Sequence, residues 1–455
     1  MNNKPTLTCY GGVGAVTGAN FLFETGTKRI LVDCGLLQGL PSADATNAEA
    51  FDYDPASIDC LFITHGHIDH IGKVPKLVKD GFKGVIYSTE ETKEISKLML
   101  EDMAHIADSN SREHGTPALY TEADVEKSLA MWQTLTYHEP KDFGDFTLEV
   151  FNAGHILGSA MYKFIFPSGK SMMFTGDTGN SPAPLEVDTD TVTGLSYLLM
   201  DSVYGDRNHE SPEERDAKFK NMITDVVKRG GTLVIPSFSL ERTQVLLFEL
   251  HNLSKAGLIP QIPVFLDSPL AIKVTEIYEK HAQMYNPAAE AEIKTDGDIF
   301  SFPRFKDTVE TRDSREIELV KGPKIILAGS GMSTAGRVLV HEARYLPDPT
   351  ATILFVGYQA PGTLGRVIQG RAKEVVIKGA KIPVLAHIET IDGFSAHKDS
   401  DHLVEFVSHT KDTVKTVFVT MGEPKSEIFL AQRLHDELGV NAVVPQRGDK
   451  YELDL

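Results

Sequence analysis

Short apolar runs recur along the chain, most of them ending in small or polar residues. Cys60-Leu61-Phe62-Ile63 is one, and it predicts a buried strand. Just downstream, Ile71, Val74, Leu77 and Val78 stand at helical spacing, with Pro75 early enough to be tolerated, so a helix is expected there. Near the start, Asn20–Glu24 and Lys28–Val32 predict two strands joined by a turn at Thr25-Gly26-Thr27. The stretch from Glu90 to Trp132 has a helical pattern, and Ser171–Phe174 predicts another strand. In the middle, Leu233–Ile235, Val264–Leu266, Ile325–Leu327 and Ile353–Val356 are apolar without alternation. They alternate with helical patterns such as Arg242 to Leu253. That combination predicts an α/β unit whose sheet is covered on both faces. A strand at Val417–Val419 and a helix around Ile428 to Leu438 close the pattern.

Between the strand at Cys60 and the helix at Ile71 lies Thr64-His65-Gly66-His67-Ile68-Asp69-His70. Imidazoles and carboxylates are the usual nitrogen and oxygen ligands of zinc. A strand end turning into a helix is where open α/β sheets place their sites. A compact turn can aim His65 and His67 at one ion while Asp69 and His70 face a second. Upstream, the second strand of the hairpin ends in Asp33-Cys34-Gly35. Asp33 is either a turn residue or a group that orients the His-rich loop, and the nearby loop favours the second reading. Downstream, His155 sits among glycines in Ala153-Gly154-His155-Ile156-Leu157-Gly158, and Asp177 follows an apolar strand in Thr175-Gly176-Asp177. His105 and His114 are isolated on the helical stretch and read as structural or solvent-exposed.

Composition narrows the setting. At 455 residues there is room for two or three domains, and 41% hydrophobic with 24% charged residues is ordinary for a globular protein. The three cysteines, Cys9, Cys34 and Cys60, are odd in number and far apart, which favours a reducing cytoplasm over a disulfide framework. The N-terminal residues lack a signal-type apolar stretch, and no apolar run approaches membrane-spanning length, so a cytoplasmic protein with no membrane partner is expected. A net charge of −19 excludes a generally basic nucleic-acid coat. It leaves room for a local basic track. Arg366, Arg371, Lys373, Lys378 and Lys381 stand within one stretch against the single acid Glu374. That stretch reads equally as a solvated face or as a phosphate track.

Taken together, Asp33, the His-rich loop, His155 and Asp177 resemble the four successive motifs of the metallo-β-lactamase superfamily. The likeness extends to the β-CASP nucleases. It is carried by Asp201-Ser202-Val203-Tyr204-Gly205-Asp206-Arg207, Pro236-Ser237-Phe238-Ser239-Leu240-Glu241-Arg242 and Asp267-Ser268-Pro269. Ala328-Gly329-Ser330-Gly331-Met332 with Arg337, and Gly393-Phe394-Ser395-Ala396-His397, complete it. It is closest to bacterial and archaeal relatives of the cleavage and polyadenylation factor endonuclease. The resemblance implies an αββα sandwich spanning residues 1–205 and 381–455, with a β-CASP domain inserted at 206–380.

It also implies a zinc-dependent nuclease acting on single-stranded RNA, in which water activated between two ions attacks the phosphodiester. His65, His67, His155 and Asp177 would hold one zinc, and Asp69, His70 and the shared Asp177 the second. Asp69, Asp201 and His397 are the implied catalytic groups. His397 serves as general acid, with Asp201 orienting it and holding it protonated. Ser395, Ser330, Gly331 and Arg337 resemble phosphate contacts. One position departs from the pattern. RNA-acting members have a His before Gly-Glu, whereas this chain has Met421-Gly422-Glu423. A thioether is a poor zinc ligand, so the second ion is expected to bind more weakly, unless His387, His402 or His409 takes the place. DNA is the alternative substrate, and a non-catalytic RNA-binding scaffold or a small-ester hydrolase are the alternative functions. A homodimer is compatible with the reading.

Overall fold

The computed structural model describes residues 4–39, 42–114 and 117–455, excepting the side chains at 110, 113 and 114. The chain forms two compact units. The first takes the chain up to Gln38, then Ser42–Asn208 and His397–Leu455, and the second takes His209–Ala396 together with Gly39.

Among the described residues, the first unit holds two seven-stranded sheets. In the first sheet, antiparallel strands Thr6–Gly11, Asn20–Glu24 and Arg29–Val32 lead into parallel strands Cys60–Phe62, Val85–Ser88 and Trp132–Thr134. The second is built on Thr147–Asn152, Ala160–Ile165, Ser171–Phe174, Tyr197–Met200 and Thr416–Val419. Strand alternation sends successive side chains to opposite faces. Phe21, Phe23, Phe62, Phe164 and Phe174 therefore meet in the core shared by the two sheets. Leu22, Leu31, Leu61 and Ile86 point the other way, onto Ile71, Val74, Leu77 and Leu100 of the helical layer. Met173, Leu198 and Met200 do the same on the second sheet, against Leu403, Leu430 and Leu434. Both faces are covered by helices or by the partner sheet, so the strands read as uninterrupted apolar runs. This is the expected αββα sandwich.

Among the described residues, the second unit is built on a six-stranded, wholly parallel sheet, with a separate two-stranded hairpin beside it in the chain. The order of the six strands is Phe305–Asp307, Val264–Asp267, Lys324–Ala328, Thr232–Pro236, Thr352–Phe355, His387–Thr390. Helices connect these strands, and the sequence marks their ends clearly. Pro212–Arg229 begins with Ser211 and Glu214 forming a capping box and stops at Gly230 in the left-handed conformation.

Two boundaries differ from the sequence expectation. The helix expected from Ile71 to Val78 is two short helices, Ile68–Ile71 and Val74–Lys79. The backbone leaves the helical path at Lys73, whose N–H donates to Cys34 O at 2.8 Å and ties it to the Asp33 turn. The chain also returns to the first unit at His397 rather than near Lys381. Strand His387–Thr390 pairs in parallel with Thr352–Phe355 and so belongs to the inserted sheet.

Candidate metal centre and active site

The His-rich loop leaves the C-terminal end of strand Cys60–Phe62 and enters helix Ile68–Ile71. Asp33, at the end of the neighbouring strand, fixes it from behind. Its carboxylate accepts from the Thr64 N–H and Thr64 Oγ1, each at 2.8 Å, and lies 2.7 Å from His70 Nδ1. Thr64 Oγ1 is also 3.1 Å from His65 Nδ1, leaving Nε2 of that ring to face the centre. Asp33 takes φ 59°, a left-handed conformation that Asp tolerates better than most residues. The packing is close. A Cβ on Gly35 would fall 1.5 Å from Asp69 O, and one on Gly176 would fall 2.6 Å from the Thr64 side chain. Only glycine lets these loops meet.

His155 and Asp177 arrive on loops after strands Thr147–Asn152 and Ser171–Phe174 of the other sheet. His67 Nδ1 lies 3.1 Å from His65 Nε2 and 3.3 Å from His155 Nε2. Asp177 Oδ2 lies 3.6 Å from His65 Nε2 and 3.7 Å from His155 Nε2. The other oxygen, Asp177 Oδ1, lies 3.4 Å from His70 Nε2, which in turn is 3.8 Å from Asp69 Oδ2. One carboxylate thus serves two donor sets, His65/His67/His155/Asp177 and Asp69/His70/Asp177, each with its ligand atoms within 4.8 Å of one another. His70 Nε2 and Asp177 Oδ1 are buried with no hydrogen-bond partner among the described residues. Buried polar atoms are costly without partners. A divalent cation bound by imidazole and carboxylate satisfies both atoms, so the residues present fit the metal that the sequence implies.

The electrostatics agree. Burial alone would depress His70, but the carboxylates of Asp177, Asp33 and Asp69 outweigh it and hold its pKa well above the usual value. Burial would raise Asp177, but His70 above all holds it well below the carboxylate range. Asp69 is pushed up to about 6 by burial, an effect that His70 opposes and Asp177 reinforces. His65, buried and next to His70, is held well below its ordinary value.

His397 completes the cluster. It pairs as an isolated bridge with Gly179, its Nδ1 lies 3.8 Å from Asp177 Oδ2, and it groups with Asp177 and Asp201 within 4.8 Å. Asp201 is wholly buried, and its Oδ1 accepts from Thr178 N at 3.1 Å and Thr178 Oγ1 at 2.7 Å. Burial and the Asp177 charge push Asp201 up to about 8. Two residues outside the sequence reading hold this corner together. Thr178 anchors Asp201, and the buried Lys398 donates from Nζ to Gly179 O at 2.8 Å and to Ser181 Oγ at 3.3 Å. Their only sequence signal is adjacency to Asp177 and His397.

The remaining candidates belong to neither donor set among the described residues. Met421 is 1% exposed and belongs to the apolar core with Phe21 and Phe418, so its side chain is packing material. His387 lies on the edge strand of the second unit, and His402 Nδ1 is spent on Asp399 Oδ1 at 2.7 Å. His409 caps helix Ser400–Ser408. None of the three joins a donor set among the described residues. His105 is exposed beside Glu122 at 3.0 Å, and the side chain of His114 lies outside the described residues. Ser330, Gly331, Arg337 and Ser395 all sit in the second unit. Ser330 Oγ is 3.0 Å from Thr334 Oγ1, Gly331 O accepts from Gln359 Nε2 at 2.9 Å, and Ser395 is buried with its N–H on Asp392 O at 2.8 Å. The Arg337 guanidinium is held internally, at 2.7 Å from each of Asp267 Oδ1, Thr308 O and Val309 O.

Comparison with known proteins matches three family descriptions in turn. Residues 13–208 match the metallo-beta-lactamase superfamily, residues 243–368 the Beta-Casp domain, and residues 381–445 the Zn-dependent metallo-hydrolase RNA specificity domain. The chain is 32% identical over 398 residues to a ribonuclease of Thermus thermophilus, covering 88% of this chain and 89% of that one. It is 31% identical over 451 residues to the transcription termination factor FttA of Methanosarcina mazei, covering 95% of this chain and 69% of that one. A crystal structure of a protein of unknown function from Enterococcus faecalis shares the fold, with TM-score 0.57 at 13% identity, over 99% of this chain and 100% of that one. Donor sets, sheet order and sequence likeness converge: the chain belongs to the β-CASP family of metal-dependent hydrolases within the metallo-β-lactamase superfamily.

Proposed function

We propose that this protein is a zinc-dependent ribonuclease that hydrolyses phosphodiester bonds of single-stranded RNA with two zinc ions. The observation that carries the reading is the divided use of Asp177, one oxygen toward each of two converging donor sets. His65, His67, His155 and Asp177 hold one ion, and Asp69, His70 and Asp177 the other. When bound, the ions supply Lewis acidity at the phosphodiester and acidify a water. The chain's own residues do the rest. Asp33 and Thr64 keep the imidazoles aimed. His397, beside Asp177, donates a proton to the leaving 3′-oxygen, and Thr178 and Lys398 hold Asp201 and the Gly179 loop against it. RNA is favoured by the RNA specificity domain match and by the ribonuclease among the relatives. Three free, buried cysteines support a reducing compartment, the cytoplasm. Among the described residues no helix is long and apolar enough to cross a membrane.

The test is cleavage of end-labelled single-stranded RNA by zinc-loaded protein, with matched single-stranded DNA and the His397→Ala variant alongside. RNA cleaved faster than DNA, with the variant slowed about a hundredfold or more, supports the reading. Intact RNA with both proteins overturns it.

A further inference from the structure

In the second unit, helix Leu364–Gln369 is followed by the hairpin of strands Glu374–Ile377 and Ala380–Pro383. This small piece carries Arg366, Arg371, Lys373, Lys378 and Lys381. Lys381 is paired with Glu374 at 3.1 Å. The other four are exposed, and among the described residues no carboxylate lies within ion-pair distance of them. Uncompensated cations at this density stand out in a chain of net charge −19.

Two of the four also occupy backbone positions that disfavour them. Arg371 follows the helix with φ 60°, where glycine is the usual exit residue. Lys378 takes φ 49° and Gly379 φ 81° in the two-residue turn joining Ile377 to Ala380, a place where Asn-Gly is preferred. Long basic side chains held in the left-handed region point to a role beyond folding. Val367 and Val376 stand beside them, 46% and 60% exposed. A cavity of about 570 Å³ lies against Lys378, lined also by Thr334, Leu339, Thr363 and Val376. Cation, hydroxyls and aliphatic walls suit the phosphate, sugar and base face of a nucleotide.

We propose that this helix–hairpin surface binds the phosphodiester backbone of single-stranded RNA, with Arg371, Lys373 and Lys378 as its phosphate contacts. The choice of RNA among polyanions rests on the ribonuclease reading. Binding to a single strand releases counterions, and each phosphate contact contributes about 0.7 to the slope of log affinity against log salt.

The experiment measures fluorescence anisotropy of a labelled oligouridylate on the full chain, with chelator present, across a salt series. Wild type is compared with Arg371→Gln/Lys373→Gln/Lys378→Gln. The expected result is an affinity loss of about tenfold and a slope lower by about 2, with KM rising and kcat held in the cleavage assay. Unchanged affinity and slope would overturn the proposal. A second variant, Arg371→Gly/Lys378→Gly, guards against misfolding. Relief of the left-handed residues raises its melting temperature, and its salt slope falls by about 1.4. A higher melting temperature with unaltered RNA binding would also overturn the proposal. Wild-type RNA that binds with the expected slope but is never cleaved with zinc would remove the ribonuclease reading and leave this surface standing.

Discussion

Asp33 Oδ2 lies 2.7 Å from His70 Nδ1, and both groups are buried away from water. The contact holds Nδ1 on Asp33 and turns Nε2 toward Asp177 Oδ1 at 3.4 Å, so that Nε2 is the nitrogen available to a metal. Replacing Asp33 with Asn keeps the volume but removes the charge that orients the ring and the loop. Asp33→Asn is expected to weaken zinc binding about 10–100-fold, measured by competition with a chromophoric chelator. Unaltered affinity would mean that the contact merely fills space.

Zinc uptake should release protons. His70 has its pKa held well above the usual value by the surrounding carboxylates, against the pull of burial, so without a cation it is an imidazolium near neutrality. An imidazole must give up the proton on its donor nitrogen to bind a metal. Affinity for zinc is therefore expected to rise as pH is raised above the ordinary histidine range. The heat of binding should differ between buffers of different ionisation enthalpy, and titration calorimetry in two such buffers checks this.

Met421 separates a packing role from a ligand role. It sits 1% exposed with φ 49°, and a Cβ on Gly12 would fall 2.4 Å from its sulfur. Met421→Leu conserves volume, so stability is expected to change by less than about 1.5 kcal/mol and zinc stoichiometry to stay the same. Met421→Ala opens a cavity and should cost about 2–4 kcal/mol by urea unfolding. A fall in zinc content with Met421→Leu would restore the sulfur as a ligand.

Asp267 ties the inserted unit together. Burial would raise its pKa, but His341, Ser314, Thr308 and Arg337 hydrogen-bond the carboxylate and hold it at about 2. A depressed folded-state pKa stabilises above the unfolded value near 4 and loses that stabilisation as pH falls toward about 2. Asp267→Asn is therefore expected to cost about 2 kcal/mol at pH 7, with the gap to wild type closing between about pH 4 and 2. Arg337→Gln should share this stability loss, because the same network spends its guanidinium. An Arg337→Gln variant of wild-type stability but poor RNA binding would return that residue to phosphate recognition.

The sequence by itself determined the local parts of this protein. Apolar runs and period-3.6 patterning are short-range, so strands such as Asn20–Glu24 and Cys60–Phe62 and helix Arg242–Lys255 were legible from their neighbours alone. The dense donors of His65 to His70 announced metal chemistry for the same reason. Tertiary structure decided what depends on distance in the chain. Asp33, His155, Asp177, Asp201 and His397 come together only because two sheets stack with their loop ends aligned. That stacking alone gives Asp177 its two faces. It also assigned Thr178 and Lys398 their supporting places, sent Met421 into the core and spent Arg337 on Asp267. Nothing in the residue types distinguishes a buried methionine from a ligand, or a clamped arginine from a free one, until the packing around each is known.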